Sequence, residues 1–461
     1  MELTRTVCDR ARLARDARFD GRFFTAVTST RIYCRPVCPA PSPKPSNIIY
    51  FPSAAAAAEA GFRPCLRCRP ETSPGTPAWL GTSASVSRGL KLIAEGALDE
   101  NSVDELAGRL GLGSRHLRRM FLQHLGATPV AVAQTRRVHF AKKLIDETEL
   151  PMTQVAMAAG FGSLRRFNAT FQKLYGRTPS DLRRATARER NENEADVYTF
   201  RLGYRPPYNW ASIIGFLGQR AIPGVETITI DEYRRSISLD GRAGFISVRP
   251  VFAKHHLELR IEFPEPAALF RIVERVRNIF DLRADPTDVD EHLRRDARLK
   301  AAVDSHAGMR VPGCWDGFEI GVRAILGQQV SVKGATTMAG RLVSEFGRGN
   351  FPTADALADA DLARIGLTKQ RAHSIRELAS AVARREVSFD ASLGLEAFED
   401  GMKKLPGIGP WTAQYIAMRI GEPDAFPAGD LYLKSFAKES EAWRPWRAYG
   451  AMYIWSGSHP Q

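Results

Sequence analysis

Leu405–Arg419 reads LPGIGPWTAQYIAMR. Leu-Pro-Gly-Ile-Gly predicts a tight hairpin, and Pro410 opens a helix directly after it. Gly407 and Gly409 lack a Cβ, so backbone N–H groups can come close to a phosphate at a helix N-terminus, where anions are favoured. Thr412 lies in the same first turn. The pattern is a helix-hairpin-helix, a grip on DNA that reads no sequence. Gly407, Gly409 and Thr412 are its candidate DNA contacts. Taken alone, it predicts DNA binding and no chemistry.

Twenty-one residues beyond Gly409 stands FPAGDLYLK, with Asp430 after a proline and a glycine. An isolated aspartate there is ordinarily a turn or cap residue. From about 267 to the end the chain reads as short helices punctuated by Gly and Pro. From about 197 to 270 it reads as strands. In LELRIEF (257–263), Leu257, Leu259, Ile261 and Phe263 alternate and so share one face. ETITI and RRSISL behave alike.

Residues 85–187 read as nearly all helix, with an internal repeat. LAGRLGLGSRHLRRMFLQHLGATP (106–129) is matched by VAMAAGFGSLRRFNATFQKLYGRTP (155–179). Phe121 and Phe171, Gly126 and Gly176, and Pro129 and Pro179 are each 50 residues apart. Helix, glycine turn, helix is the helix-turn-helix arrangement, and two copies can reach successive major grooves. Ser114, Arg115, Arg118 and Arg119 open and line the first recognition helix; Ser163, Arg165, Arg166 and Asn168 do so for the second. Arg and Asn suit guanine and adenine edges, although Arg more often meets phosphate. Phe121, Phe167 and Phe171 are expected in the core. The plainer alternative is a helical bundle with a solvated basic face.

Near the start, Cys34-x3-Cys38 and Cys65-x2-Cys68 are separated by 26 residues. Two thiolate pairs closed by one loop match a single tetrahedral zinc site. Spacing alone favours a structural staple. Cys8 and Cys314 fall outside this box and read as ordinary thiols. Two stretches, PETSPGTPAWLGTSAS (70–85) and ATARERNENEAD (185–196), read as linkers.

Length of 461 residues predicts three or four domains, and 44% hydrophobic content supplies ordinary cores. No apolar run nears the length of a membrane span, and the charged start lacks the apolar core of a secretory signal. The expected setting is cytoplasmic, without a membrane partner and without a disulfide framework. An excess of 65 Lys and Arg over 51 Asp and Glu, net +14, fits a polyanionic partner.

Three resemblances sharpen these expectations. FDGRFFTAVTSTRIYCRPVCP and AGFRPCLRCRPE resemble the N-terminal domain of the Ada methylphosphotriester repair family over most of residues 15–72. The resemblance implies that Cys34 accepts a methyl group from a methylated DNA phosphate, with Cys38, Cys65 and Cys68 as the other zinc ligands. The helical repeat resembles the AraC-type regulator domain. It implies promoter DNA and, for an activator, RNA polymerase as partners. The hairpin followed by Asp430 resembles the helix-hairpin-helix glycosylase superfamily, in its AlkA branch. YRPPYNWASIIGFLGQRAIPGVE, ILGQQVSVKGA and WRPWRAYGAMYIW extend that likeness over about 200–461.

The AlkA likeness implies Asp430 as the carboxylate that stabilises an oxocarbenium-like sugar and helps water attack. It implies Trp411, Tyr415 and Trp455 as pocket aromatics for a flipped base, with a cation–π preference for alkylated purines such as 3-methyladenine and 7-methylguanine. Gln329 matches the residue that wedges into the vacated stack, and the hairpin backbone near Leu405 and Ile408 is expected to hold a monovalent cation. Relatives that also cut the strand carry Lys where Trp411 stands, so no lyase step is expected. No cysteine follows Cys314, which excludes a four-cysteine iron–sulfur cluster there. The Pro-Cys-His-Arg motif of O6-alkylguanine repair is absent. The stretch between Asp430 and Trp443 is shorter than in the AlkA pattern, so a helix supporting the pocket is expected to be truncated.

The predicted fold is multidomain and mainly α with α+β parts: a zinc domain (1–78), a double helix-turn-helix domain (85–187), a TBP-like α+β domain (197–270) and an all-α helix-hairpin-helix glycosylase domain (271–461).

Overall fold

The computed structural model describes residues 3–74, 84–99, 101–186, 196–390 and 392–458. Most of both expected linkers lies outside these residues. The chain forms two compact units.

The first unit comprises Met1–Pro206, Val251–Glu274 and Leu282–Asp285. It begins with the helix Arg5–Leu13, followed by a four-stranded sheet in the order Ile48–Phe51, Phe24–Val27, Ile32–Cys34, Arg63–Pro64. The last two strands are parallel and the other pairs antiparallel. The helix Ala54–Glu59 opens with five alanines, four of them buried, so it packs closely on its neighbours. Ser53 caps it and also donates its hydroxyl to the Leu125 carbonyl at 2.7 Å.

Seven helices follow, from Ala84–Ala94 to Pro179–Thr186. The repeat is realised in the backbone. The helices Ser114–Leu125 and Leu164–Tyr175 end on Gly126 and Gly176, with φ of 66° and 65°. That left-handed cap is where glycine is favoured. Pro129 and Pro179 then open the next helices, and Phe121 and Phe171 are fully buried. The strand Val197–Gly203 pairs antiparallel with His256–Glu262. Leu257, Leu259, Ile261 and Phe263 are all buried, as their alternation requires.

The second unit comprises Pro207–Pro250, Arg275–Asp281 and Pro286–Gln461. The meander Glu226–Ile228, Tyr233–Leu239, Arg242–Val251 lies beside the apolar helix Trp210–Gln219 in sequence. The remainder is helical, including Gly317–Leu326, Val332–Phe346, Lys369–Ala383, Pro410–Arg419 and Arg447–Ser458. The strand-rich stretch 197–270 thus contributes to both units. Among the described residues no helix is long and apolar enough to cross a membrane.

Candidate functional sites

The parallel pairing of Ile32–Cys34 with Arg63–Pro64 brings the two cysteine pairs together. Turns secure each pair: Cys38 N–H donates to the Arg35 carbonyl, and Arg69 N–H to the Cys65 carbonyl. All four sulfurs lie within 4.8 Å of one another. A tetrahedral ion with ~2.3 Å bonds to sulfur needs separations of about 3.8 Å, so the cluster fits zinc. Bound zinc would keep the sulfurs as thiolates at neutral pH. Arg35 braces the site: its N–H points at Cys68 Sγ (3.4 Å), and its guanidinium reaches Asp20, the Cys68 carbonyl and Thr72. Cys65 and Cys68 are buried; Cys34 and Cys38 are partly exposed and can meet an external group. Cys8 lies apart, and burial pushes its thiol up to about 11, as befits an inert thiol.

On the recognition helices, Arg115, Arg118, Arg119, Arg165, Arg166 and Asn168 are exposed, while Phe167 is fully buried. Ser114 is partly exposed at the start of its helix. Ser163 is also exposed, but its hydroxyl accepts from Arg166 N–H at 3.2 Å and so caps the helix. That use competes with a DNA contact by the same oxygen.

In the second unit, Gly409 precedes the helix Pro410–Arg419. Gly407 has φ of 78°, and a Cβ there would sit 2.1 Å from Ser374 Oγ, so only glycine fits. The side chain of Thr412 turns inward. It is buried, and its hydroxyl accepts from Gln328 Nε2 at 3.0 Å, inside the protein. Gln329 is exposed with φ of 53° in the turn after Gly317–Leu326.

One helical turn apart, Trp411 and Tyr415 stack with ring centroids 5.4 Å apart and planes 8° from parallel. Asp430 follows a turn closed by its own N–H on the Pro427 carbonyl. Its Oδ1 accepts from Trp455 Nε1 (3.1 Å) and from Tyr432 N–H (3.0 Å). The preceding Gly429 packs on Trp411, where a Cβ would lie 3.4 Å from the Trp411 Cβ. The carboxylate therefore both caps its own turn at Tyr432 and takes a hydrogen bond from one indole, that of Trp455.

Trp455 also stacks on Phe216, at 6.2 Å and 27°. The sequence reading missed Phe216, which sits on an apolar helix about two hundred residues away in sequence and carries no spacing signal. It also missed the cations behind the rings. Arg220 lies 3.8 Å from the Phe216 ring centre; Arg419 lies 5.0 Å from that ring and 5.8 Å from Tyr415. Arg419 Nη1 donates to Tyr415 Oη at 2.9 Å. Burial raises the Tyr415 phenol, but Arg419, Arg220 and Arg323 outweigh it and hold the group below its usual value. The expected cation–π preference for an alkylated purine is thus qualified: guanidiniums already occupy ring faces at Phe216 and Tyr415. The stretch after Asp430 forms only short turns, Lys434–Phe436 and Glu439–Trp443, before Arg447–Ser458. Asp430 keeps its partners regardless.

Four family descriptions match in chain order: the metal binding domain of Ada (7–71), a helix-turn-helix domain (106–185), the AlkA N-terminal domain (199–316) and the HhH-GPD superfamily base excision DNA repair protein (322–453). A Mycobacterium tuberculosis (strain H37Rv) protein, described as a probable bifunctional transcriptional activator/DNA repair enzyme AlkA, is 40% identical over 480 residues. The match covers 98% of this chain and 96% of that protein. The chain belongs to this AlkA-type activator/repair family. Parts of it match other relatives. DNA-3-methyladenine glycosylase 2 of Escherichia coli is 33% identical over 56% of this chain and 96% of its own length. The bifunctional transcriptional activator/DNA repair enzyme AdaA of Bacillus subtilis is 33% identical over 39% of this chain and 82% of its own. The AlkA-type chain is therefore multidomain, with a zinc-binding module, a helix-turn-helix module and a DNA glycosylase module.

Proposed function

We propose that this AlkA-type chain performs two separate chemistries on double-stranded DNA in the cytoplasm. In the first, the Cys34 sulfur attacks the methyl carbon of a methylated backbone phosphate. An S–C bond forms, the methyl C–O bond breaks, and its electron pair stays on the phosphate oxygen, restoring a phosphodiester anion. The cysteine becomes a thioether, so the step is stoichiometric. One negative charge leaves the site, repulsion from DNA falls, and the helix-turn-helix pair binds promoter DNA more tightly, where it can meet RNA polymerase. Partial exposure of Cys34 beside two buried sulfurs supports this reading.

In the second, a flipped alkylated purine (3-methyladenine or 7-methylguanine) enters beside Trp411, Tyr415, Trp455 and Phe216. Asp430 stabilises the positive sugar while water replaces the base. The single observation that carries this reading is the Asp430 carboxylate fixed by Trp455 Nε1. Trp411 stands where a lyase lysine would, which supports base hydrolysis without strand cleavage. Gly407 and Gly409 present backbone to phosphate, with a monovalent cation held near Leu405 and Ile408. The module boundaries we propose remain 1–78, 85–187, 197–270 and 271–461.

Release of free base from a duplex with a defined alkylated purine tests the enzyme. Wild type is expected to release it, and no release would favour a regulator whose second half only grips DNA. A gain of one methyl group on the Cys34 peptide after incubation with methylated DNA tests the sensor. No adduct at saturating lesion would leave a structural zinc site.

A further inference from the structure

The turn between Gly317–Leu326 and Val332–Phe346 carries Gln329 at φ of 53°, outward and exposed. A left-handed conformation costs a residue with a side chain on the order of 1 kcal/mol, so the surroundings must hold it. The neighbour Gln328 supplies the hold. Its Nε2 donates to the Gly407 carbonyl at 2.8 Å and to Thr412 Oγ1 at 3.0 Å. A carbonyl can only accept, so the orientation of this amide is fixed, and both its hydrogens are used. The main-chain carbonyl of Gln328 accepts in turn from the Arg371 guanidinium.

Arg371 belongs to Lys369–Ala383, three residues before Ser374, whose hydroxyl fills the space left by the missing Gly407 side chain. The same helix thus touches the turn through Arg371 and the hairpin through Ser374. Gln328 joins the turn and the hairpin to each other. Neither side-chain bond of Gln328 reaches Asp430 or Trp455.

We propose that Gln328 is a positioning residue that locks the Gln329 turn to the phosphate-gripping hairpin. Docking of the hairpin on the backbone and entry of Gln329 into the base stack then occur as one rigid movement. The proposal rests on the glycosylase reading of this module, because it takes Gln329 as the wedge.

The test uses the full chain and a duplex with 2-aminopurine beside an alkylated purine, paired either with its normal partner or with an abasic site. Gln328→Glu sets a carboxylate oxygen against the Gly407 carbonyl and breaks the tie with little change of shape. Arg371→Gln weakens it from the other side. On the paired duplex both variants should lower the extrusion fluorescence and the single-turnover release rate roughly tenfold, as expected when oriented hydrogen bonds to a working geometry are lost. Affinity for undamaged duplex should stay within roughly twofold, because the hairpin's own backbone makes that contact. Opposite an abasic site, where no partner base resists extrusion, the loss should shrink to within roughly threefold.

Equal losses on both duplexes, or parallel loss of undamaged-duplex affinity, would mean general damage to the fold and overturn the proposal. So would unchanged fluorescence on the paired duplex. Wild type that extrudes the base without releasing it would refute the catalytic reading alone, and the fluorescence comparison would still decide the role of Gln328.

Discussion

Asp430 shows how a common residue becomes a committed one. Its carboxylate is aimed by an indole N–H from Trp455, 25 positions later, and by the Tyr432 N–H in its own turn. Trp455→Phe keeps a ring against Phe216 and removes the donor. It is expected to slow base release roughly tenfold while leaving duplex affinity unchanged, since it loses one hydrogen bond to a charged group. Release at the wild-type rate would show that the indole does not position the carboxylate. His139 offers a second residue-level test. Its ring nitrogen bonds Tyr33 Oη at 2.9 Å, and burial lowers its pKa to about 4. An unfolded chain takes up a proton near pH 6.5, ahead of the folded one, so stability of the first unit should fall as pH drops from about 6.5 to about 4. Thermal melts of wild type and His139→Gln across that range check it: the variant should flatten the slope, and identical slopes would contradict the assignment. The four-cysteine cluster was legible because its signal is a local spacing, whereas Asp430 was singled out only through the AlkA likeness. Phe216, Arg220 and Arg419 were not, because only folding brings them to the same rings.

At the scale of elements, the repeat was legible down to its caps. A glycine that must turn left-handed, and a proline that can only open a helix, recur at the same interval because the same turn is built twice. What sequence could not apportion was the use of each polar atom. The Ser163 hydroxyl serves as an N-cap, and the Thr412 hydroxyl accepts from Gln328. Ser163→Ala should cost about 1 kcal/mol of stability, the usual worth of such a cap, measurable as a lowered denaturant midpoint. No change would mean the recognition helix does not depend on it. Gly407→Ala should be harsher, since the new methyl group collides with Ser374 and the backbone is left-handed. Affinity for undamaged duplex should fall strongly, and retained affinity would remove the hairpin from the DNA contact.

Across the whole molecule, the net charge of +14 lies almost entirely in the first 187 residues, and the stretch from 271 to the end is nearly neutral. The sequence reading gave the order of those modules correctly because each carries its own motif. It did not foresee that residues 197–270 would contribute to both compact units, since alternation marks a strand but not its partners. The two chemistries we propose would draw on different atoms, a thiolate near one end and a carboxylate near the other, and so should be separable in the intact chain. The most direct measurement incubates wild type, Asp430→Asn and Cys34→Ser with one duplex bearing both an alkylated purine and a methylated phosphate. Free base and protein methyl adduct are scored together. Wild type should yield both, Asp430→Asn only the adduct, and Cys34→Ser only the base. Undiminished base release by Asp430→Asn, or none by wild type, would contradict the account.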